Sequence, residues 1–229
     1  MPAKEYPLGL MRAAEAGDAA QVSELLARGA DPLCGNSRAI RMAALEGHVE
    51  CVKLLIPASN PNANNSYVLC WAASNGHIEC LRLLAPRSGS KVDNSRALRC
   101  AAAGGHAECV KILIPISNPK DNRLALKDAI DSQSAECVRL LIPESGPLFN
   151  DRKVLASALS RGNAKILSLM LAREPLLLTG LDLRRHRDAA IANWRPELAM
   201  ILSAIIEQQA LVADVHSPAP CPASSARRL

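Results

Sequence analysis

Gly47–Pro57 reads GHVECVKLLIP, returns as GHIECLRLLAP at Gly76–Pro86, and returns again as GHAECVKILIP at Gly105–Pro115. Each copy starts 29 residues after the one before, and Cys51, Cys80, Cys109 and Cys137 keep the phase at 29, 29 and 28. Other pairs repeat in register. Ala43-Ala44 returns as Ala72-Ala73 and Ala101-Ala102, then as Ala129-Ile130, and Asn36-Ser37 as Asn65-Ser66 and Asn94-Ser95. A fixed period in this range is the mark of one supersecondary unit stacked on copies of itself.

Each unit reads as two short helices. Ser37, Ser66 and Ser95 fall where an N-cap hydroxyl would accept a free backbone N–H. A first helix (helix A) follows, RAIRMAALE in one unit, with Ile40, Ala43 and Ala44 facing inward. Gly47 ends it and His48 opens a second (helix B), which buries Cys51, Val52, Leu55 and Ile56 at helical spacing and stops before Pro57. SNPNAN and its equivalents are turns. Neither helix can bury its apolar stripe alone, so neighbours must stack.

Weaker copies extend the frame. RAAEAGDAAQVSELLARGADP precedes it, LALKDAIDSQSAECVRLLIP and VLASALSRGNAKILSLMLA follow, and a degenerate last copy sets Ala189-Ala190 ahead of Leu198, Ile201 and Leu202. The expected helix pairs span 6–35, 36–64, 65–93, 94–121, 122–150, 151–178 and 179–211. Domain organisation follows: an N-terminal capping repeat over 1–35, internal repeats over 36–178, a C-terminal helical cap over 179–211 and a disordered Pro/Ser-rich tail over 212–229.

Composition agrees with a thin-layered helical stack. The 229 residues are 49% hydrophobic and 21% charged, enough apolar content to fold, yet only 2% aromatic. Tyr6, Tyr67, Trp71, Phe149 and Trp194 are the whole complement of Phe, Tyr and Trp, so the core is built from Leu, Ile, Val, Ala and Cys. The +5 net charge comes without groove-reading motifs or interleaved aromatics, which argues little for nucleic acid. MPAKEYPLGLMRAAEAG has no secretory h-region and no apolar run approaches the roughly 20 residues a bilayer demands. The reading is a cytoplasmic protein whose eight cysteines are reduced.

At these residues the chain resembles the ankyrin-repeat family. The matching pieces are AA, two residues, then GH, followed by V-K-L-L-I in helix B, together with LLARGADP at Leu25–Pro32. The resemblance covers most of residues 6–178. It implies an all-α solenoid of stacked helix-turn-helix repeats with short connectors, binding other proteins and catalysing nothing. Two departures stand out: the family period is about 33 rather than 28–29, with the missing residues in the connector, so projecting β-hairpins should be short or absent. The family's T-P-L-H helix start is also replaced, by Arg38-Ala39-Ile40-Arg41 and its equivalents.

A His three residues ahead of a Cys invites a metal reading. Structural zinc takes four ligands at roughly 2.0–2.3 Å, whereas adjacent helices pack about 8–10 Å apart, so His-Cys pairs of successive units are poorly placed to share an ion. No metal and no cofactor is expected. A nucleophilic cysteine needs an electropositive, partly exposed setting and a base; Cys51, Cys80, Cys109 and Cys137 read instead as small core residues, Cys34 and Cys221 as exposed ones. No Ser/His/Asp set, phosphate loop or carboxylate pair appears, so no enzyme is expected.

Charge separates the faces. Glu50/Lys53, Glu79/Arg82, Glu108/Lys111 and Glu136/Arg139 are i,i+3 pairs on helix B and solvate an outer face. Arg38, Arg41, Arg96, Arg99 and Lys127, with Tyr67 between them, lie on helix A and read as unpaired. By the resemblance, the start of helix A borders a concave groove. These six are therefore the candidate partner-binding residues, for a protein with an acidic or polar surface bound by a monomer. A merely solvated basic edge is the plain alternative; nucleic-acid or phosphoinositide binding through the same edge is the other functional one. Arg184-Arg185-His186-Arg187 reads either as the charged first helix of a cap or as a nuclear address or phosphate patch. An Ala/Arg/Leu-rich composition suits a GC-rich bacterial genome, where a host-delivered effector or an inhibitor is the expected role.

Overall fold

A computed structural model describes residues 6–59, 63–87, 91–146, 152–173 and 182–215. Helices A and B alternate as the phase predicts. The A helices are α1 (Tyr6–Ala16), α3 (Cys34–Glu46), α5 (Ala63–Ser74), α7 (Lys91–Gly104), α9 (Asn122–Asp131), α11 (Arg152–Arg161) and α13 (Leu183–Ala192). Their B partners are α2 (Ala19–Ala27), α4 (Val49–Leu55), α6 (Ile78–Leu84), α8 (Ala107–Leu113), α10 (Ala135–Leu141), α12 (Ala164–Arg173) and α14 (Pro196–Val215). No strand occurs among the described residues; the connector after α8 is two short 3-10 turns, Ile114–Ile116 and Pro119–Asp121.

Two compact units divide the chain, 1–175 and 176–229. In the first, A helices pack on A helices and B helices on B helices, and the A row is in more extensive contact than the B row. The Ala pairs explain this. Ala43, Ala44, Ala72, Ala73, Ala101 and Ala102 are completely buried and let A helices approach closely, while Cys51, Cys80, Cys109 and Cys137 with Leu55, Leu84, Leu113 and Leu141 fill the B layer. A seven-residue B helix has too few turns to stand alone in water, so its stability is tertiary. The second unit is the α13·α14 pair, closed over Leu183, Ala190, Leu198 and Leu202. Its second helix runs to Val215, beyond the residue 211 expected for the unit; residues 216–229 lie outside the description.

The turn between A and B is the most regular feature. Residues 17, 47, 76, 105, 133, 162 and 194 all adopt positive φ, including Gln133 and Trp194, which places the degenerate last pair in the same frame as the rest. At Gly47 (φ 82°) the left-handed cap lets the His48 N–H reach back to the Ala43 carbonyl at 2.8 Å, closing helix α3.

The serine caps are a correction. Ser95 is inside α7, buried; its Oγ donates to the Lys91 carbonyl and accepts from the Asn118 N–H, both at 2.9 Å. It thus ties a helix to the following connector. Ser37 closes a left-handed turn, Gly35–Asn36–Ser37, after which the right-handed part of α3 begins. Ser66 is inside α5, and its side chain lies outside the described residues. Helix A starts earlier than the serine because the preceding residues, Lys91–Asn94 in α7, join it and bury Asn94 against the Ile116 carbonyl at 3.1 Å. Side-chain caps occur instead at the start of helix B, where the residue after the turn is not histidine, and at α13, where Asp182 accepts from the Arg185 N–H at 3.3 Å. Asp18 accepts from the Gln21 N–H at 2.9 Å, and Ser134 from the Cys137 N–H at 3.5 Å.

Candidate functional site

Where that residue is histidine, its ring serves the neighbouring repeat. The Nε2–H of His48 donates to the Glu15 carbonyl at 3.0 Å, that of His77 to Leu45 at 2.9 Å and that of His106 to Ser74 at 2.9 Å. Each carbonyl belongs to the last turn of the preceding A helix, where intrahelical partners run out. The histidines are inter-repeat fasteners. Among the described residues no three His, Cys, Asp or Glu side chains gather where they could hold a metal.

The helix-B pairs form as expected: Lys53–Glu50 at 2.7 Å, Lys111–Glu108 at 2.5 Å, Arg139–Glu136 at 2.6 Å and the looser Arg82–Glu79 at 3.7 Å. All are solvent-exposed, and such pairs contribute about 0.2–1 kcal/mol at most.

The helix-A cations correct the expectation that they are unpaired. Arg41 of α3 sets its guanidinium 5.5 Å from the Trp71 ring centroid on α5, and its Nη2 donates to the Gly35 carbonyl at 3.2 Å. Trp71 and Tyr67 lie 6.4 Å apart, tilted by 43°. Arg96 of α7 stacks 4.4 Å from the Tyr67 centroid and donates to its hydroxyl at 2.8 Å. Tyr67, chiefly through that hydrogen bond, pushes the guanidinium pKa still higher. Arg99 donates Nε to Asp128 of α9 at 2.7 Å. Lys127 is paired with Asp131, which also accepts from Ser157 and faces Arg161 of α11 at 3.4 Å. Arg38 is exposed.

One side chain after another therefore laces α3 to α5, α5 to α7, α7 to α9 and α9 to α11. The face is basic, but its charge is largely spent on lateral ties and its two rings lie beneath guanidinium groups. Trp71, Asp128 and Asp131 belong to the site and escaped sequence reasoning. Their signal was present: Arg41 and Trp71 are 30 apart, Tyr67 and Arg96, and Arg99 and Asp128, 29 apart, and in a 29-residue stack such residues are lateral neighbours.

Asp131 gives this lacing a pH dependence. Its carboxyl is held below the usual carboxylate range, chiefly by hydrogen bonds from Lys127 and Ser157. A depressed folded-state pKa adds stability above the unfolded value of about 3.9, and that stability is lost as pH falls through the folded value. Asp131→Asn is expected to lower the urea midpoint at pH 7. Its deficit against wild type should close as the pH is taken below about 3.9 in a series of urea titrations.

Residues 10–96 and 69–153 match the family described as ankyrin repeats (3 copies). Among solved structures, the crystal structure of the human ASB11 ankyrin repeat domain is similar with a TM-score of 0.64 and 21% identity, over 72% of this chain and 83% of that one. No curated protein matches the sequence.

Proposed function

Because the chain belongs to the ankyrin-repeat family, whose members are generally non-enzymatic protein-interaction scaffolds, we propose that its A-helix face from α3 to α9 docks an acidic or polar segment of another protein. The observation that carries this reading is the Arg41–Trp71–Tyr67–Arg96 series, an ordered cation–aromatic surface spanning three successive A helices. Pre-ordered arginines lose little entropy on accepting a carboxylate, and each guanidinium keeps further N–H donors in its fixed plane. Arg38, exposed at the same edge, extends the patch. The more extensive packing of the A row supports its being the inner side of the stack. Among the described residues no helix is long and apolar enough to cross a membrane. With both rings stacked against arginine rather than open to a base, a protein segment suits the face better than nucleic acid or a phosphoinositide. A host-directed effector or inhibitor role is supported by composition alone.

Once a partner has been crosslinked and identified from the native cell or its host, two double variants are to be titrated against it. Arg38→Glu/Arg96→Glu is expected to weaken binding on the order of tenfold or more, with the loss shrinking at high salt as long-range attraction is screened. Lys53→Glu/Lys111→Glu should change it by about twofold at most, and matched urea midpoints guard against unfolding. Arg41 and Arg99 are left intact to keep their ties to Trp71 and Asp128, and because the Arg96 reversal breaks its own tie to Tyr67, an Arg38→Glu single variant is titrated beside the double one. Greater damage from the Lys53/Lys111 variant places binding on the B face and overturns the reading. Binding of any polyanion, equally salt-dependent and indifferent to sequence, favours the nucleic-acid or phosphoinositide alternative.

A further inference from the structure

The last helix pair, α13 and α14, lacks the polar outer face that a terminal repeat needs. Among the described residues nine large apolar side chains are exposed, and four of them, Ile191, Trp194, Met200 and Leu211, belong to this one pair. Trp194 stands out twice. It is 92% exposed, and it holds φ 55°, where a bulky L residue is an outlier and glycine is the ordinary choice. Glycine does occupy the same turn position at 17, 47, 76, 105 and 162. Strain and exposure both count against tryptophan in the isolated chain, and a strained residue with a large open ring marks a contact surface.

Charge divides between the two helices. α13 carries Arg184, Arg185 and Arg187, with Asp188 bound to Arg187 at 2.8 Å. α14 carries Glu197, Glu207 and Asp214 and no base. Over 182–215 four arginines stand against five carboxylates, so the pair as a whole is not basic. A polyanion or an anionic membrane would be attracted by one helix and repelled by the other. On α14, Glu197, Met200, Ala204 and Glu207 follow at steps of three and four and share one exposed face. On α13, Arg184, Asp188 and Ile191 do the same. Each helix therefore shows apolar side chains among charges, basic on one and acidic on the other.

We propose that two copies of this chain associate through their last helix pairs, the basic α13 of each lying against the acidic α14 of the other. A two-fold contact uses the same patch on both copies, so the patch must complement itself, and a pair with one basic and one acidic helix does. Arg184 and Arg185 face the acidic stripe of Glu197 and Glu207 on the second copy. Trp194, Ile191 and Met200 of both copies leave water between them, which repays the open ring at a strained turn. The association takes the place of the monomer that the sequence suggests. It stands independently of docking on the A face from α3 to α9, which belongs to the other compact unit.

Sedimentation equilibrium of the full chain over a concentration series tests this. Wild type is expected to approach twice the chain mass as concentration rises. Trp194→Gly relieves the left-handed strain, so in dilute solution its urea midpoint should equal or exceed that of wild type, while its dimer weakens by about tenfold or more. Arg184→Glu/Arg185→Glu and Glu197→Lys/Glu207→Lys should each be monomeric alone, since like charges then face each other. Mixed in equal amounts, the two should form a heterodimer, because both contacts regain opposite signs. A wild type that is monomeric at every concentration overturns the proposal, as does a dimer that withstands Trp194→Gly. Mixed variants that stay monomeric overturn the pairing of α13 with α14. A monomeric wild type that floats with phosphatidylserine vesicles, and loses them in Trp194→Gly, makes a membrane the occupant instead. Should the charge-reversed chains misfold by circular dichroism, wild type and Trp194→Gly decide.

Discussion

Replacing Leu84 with alanine is expected to destabilise the repeat stack by about 2–5 kcal/mol, the range for truncating a buried leucine. Leu84 ends α6, is only 2% exposed, and lies in a helix that touches both α4 and α8. Its equivalents, Leu55, Leu113 and Leu141, are equally enclosed, so the layer on either side is a continuous column with little freedom to collapse into a cavity. In a stack held by nearest-neighbour interfaces, weakening a middle unit weakens two interfaces together. Leu211→Ala is the control. That side chain is 68% exposed on α14, and its loss should change stability by no more than about 0.5 kcal/mol. Urea unfolding of both variants measures the contrast. Near-equal effects would mean that Leu84 is not an interior contact of the stack.

A second large effect is expected at Gly47. The residue sits at φ 82°, a conformation that costs an L side chain roughly 1–2 kcal/mol, and a Cβ there would stand 2.4 Å from His77 Nδ1 and 2.6 Å from its Cε1. The imidazole cannot yield without breaking its 2.9 Å bond to the Leu45 carbonyl, a further loss of about 0.5–1.5 kcal/mol. Gly47→Ala should therefore cost about 2–4 kcal/mol, the backbone strain and the lost bond together with imperfect repacking of the ring. Gly105 supplies the comparison. Its φ is 75°, but the facing residue is Ser134, whose Cβ would lie 3.5 Å from an added methyl carbon, an ordinary contact. Gly105→Ala should show the strain alone, about 1–2 kcal/mol. In a His77→Ala background the cost of Gly47→Ala should fall to that of Gly105→Ala, which a double-mutant cycle reads directly. Equal costs at Gly47 and Gly105 in the wild-type background would show that the ring is no obstacle.

This pairing explains why Gly and His recur together in GHVECVKLLIP and its copies. The glycine of one repeat makes room for the histidine of the next, so the dipeptide records two interfaces and not one site. At 133–134 the pair becomes Gln-Ser, and there the small Ser134 caps its own helix instead of reaching back.

What the sequence determined by itself is the period, the alternation of A and B helices, their turns and the buried face of each. These are local quantities: an apolar stripe at helical spacing, a residue able to take positive φ, and a count of 28–29 residues between like positions. Each can be satisfied within one repeat and then read off its copies. The i,i+3 ion pairs of helix B were legible for the same reason, since both partners sit on one helix.

What only the tertiary structure decided is which side chains meet between repeats. Arg99 looked unpaired because its acid, Asp128, is on the next A helix. Arg41 and Trp71, and Tyr67 and Arg96, are likewise separated by a full period, and whether residues 29 or 30 apart touch depends on how far neighbouring helices are staggered. Ser95 could cap a helix or lie within one, and the connector packed against it decided. Stagger is set by the fit of Ala43, Ala72 and Ala101 between closely packed A helices, a property of two surfaces in contact that no single repeat contains.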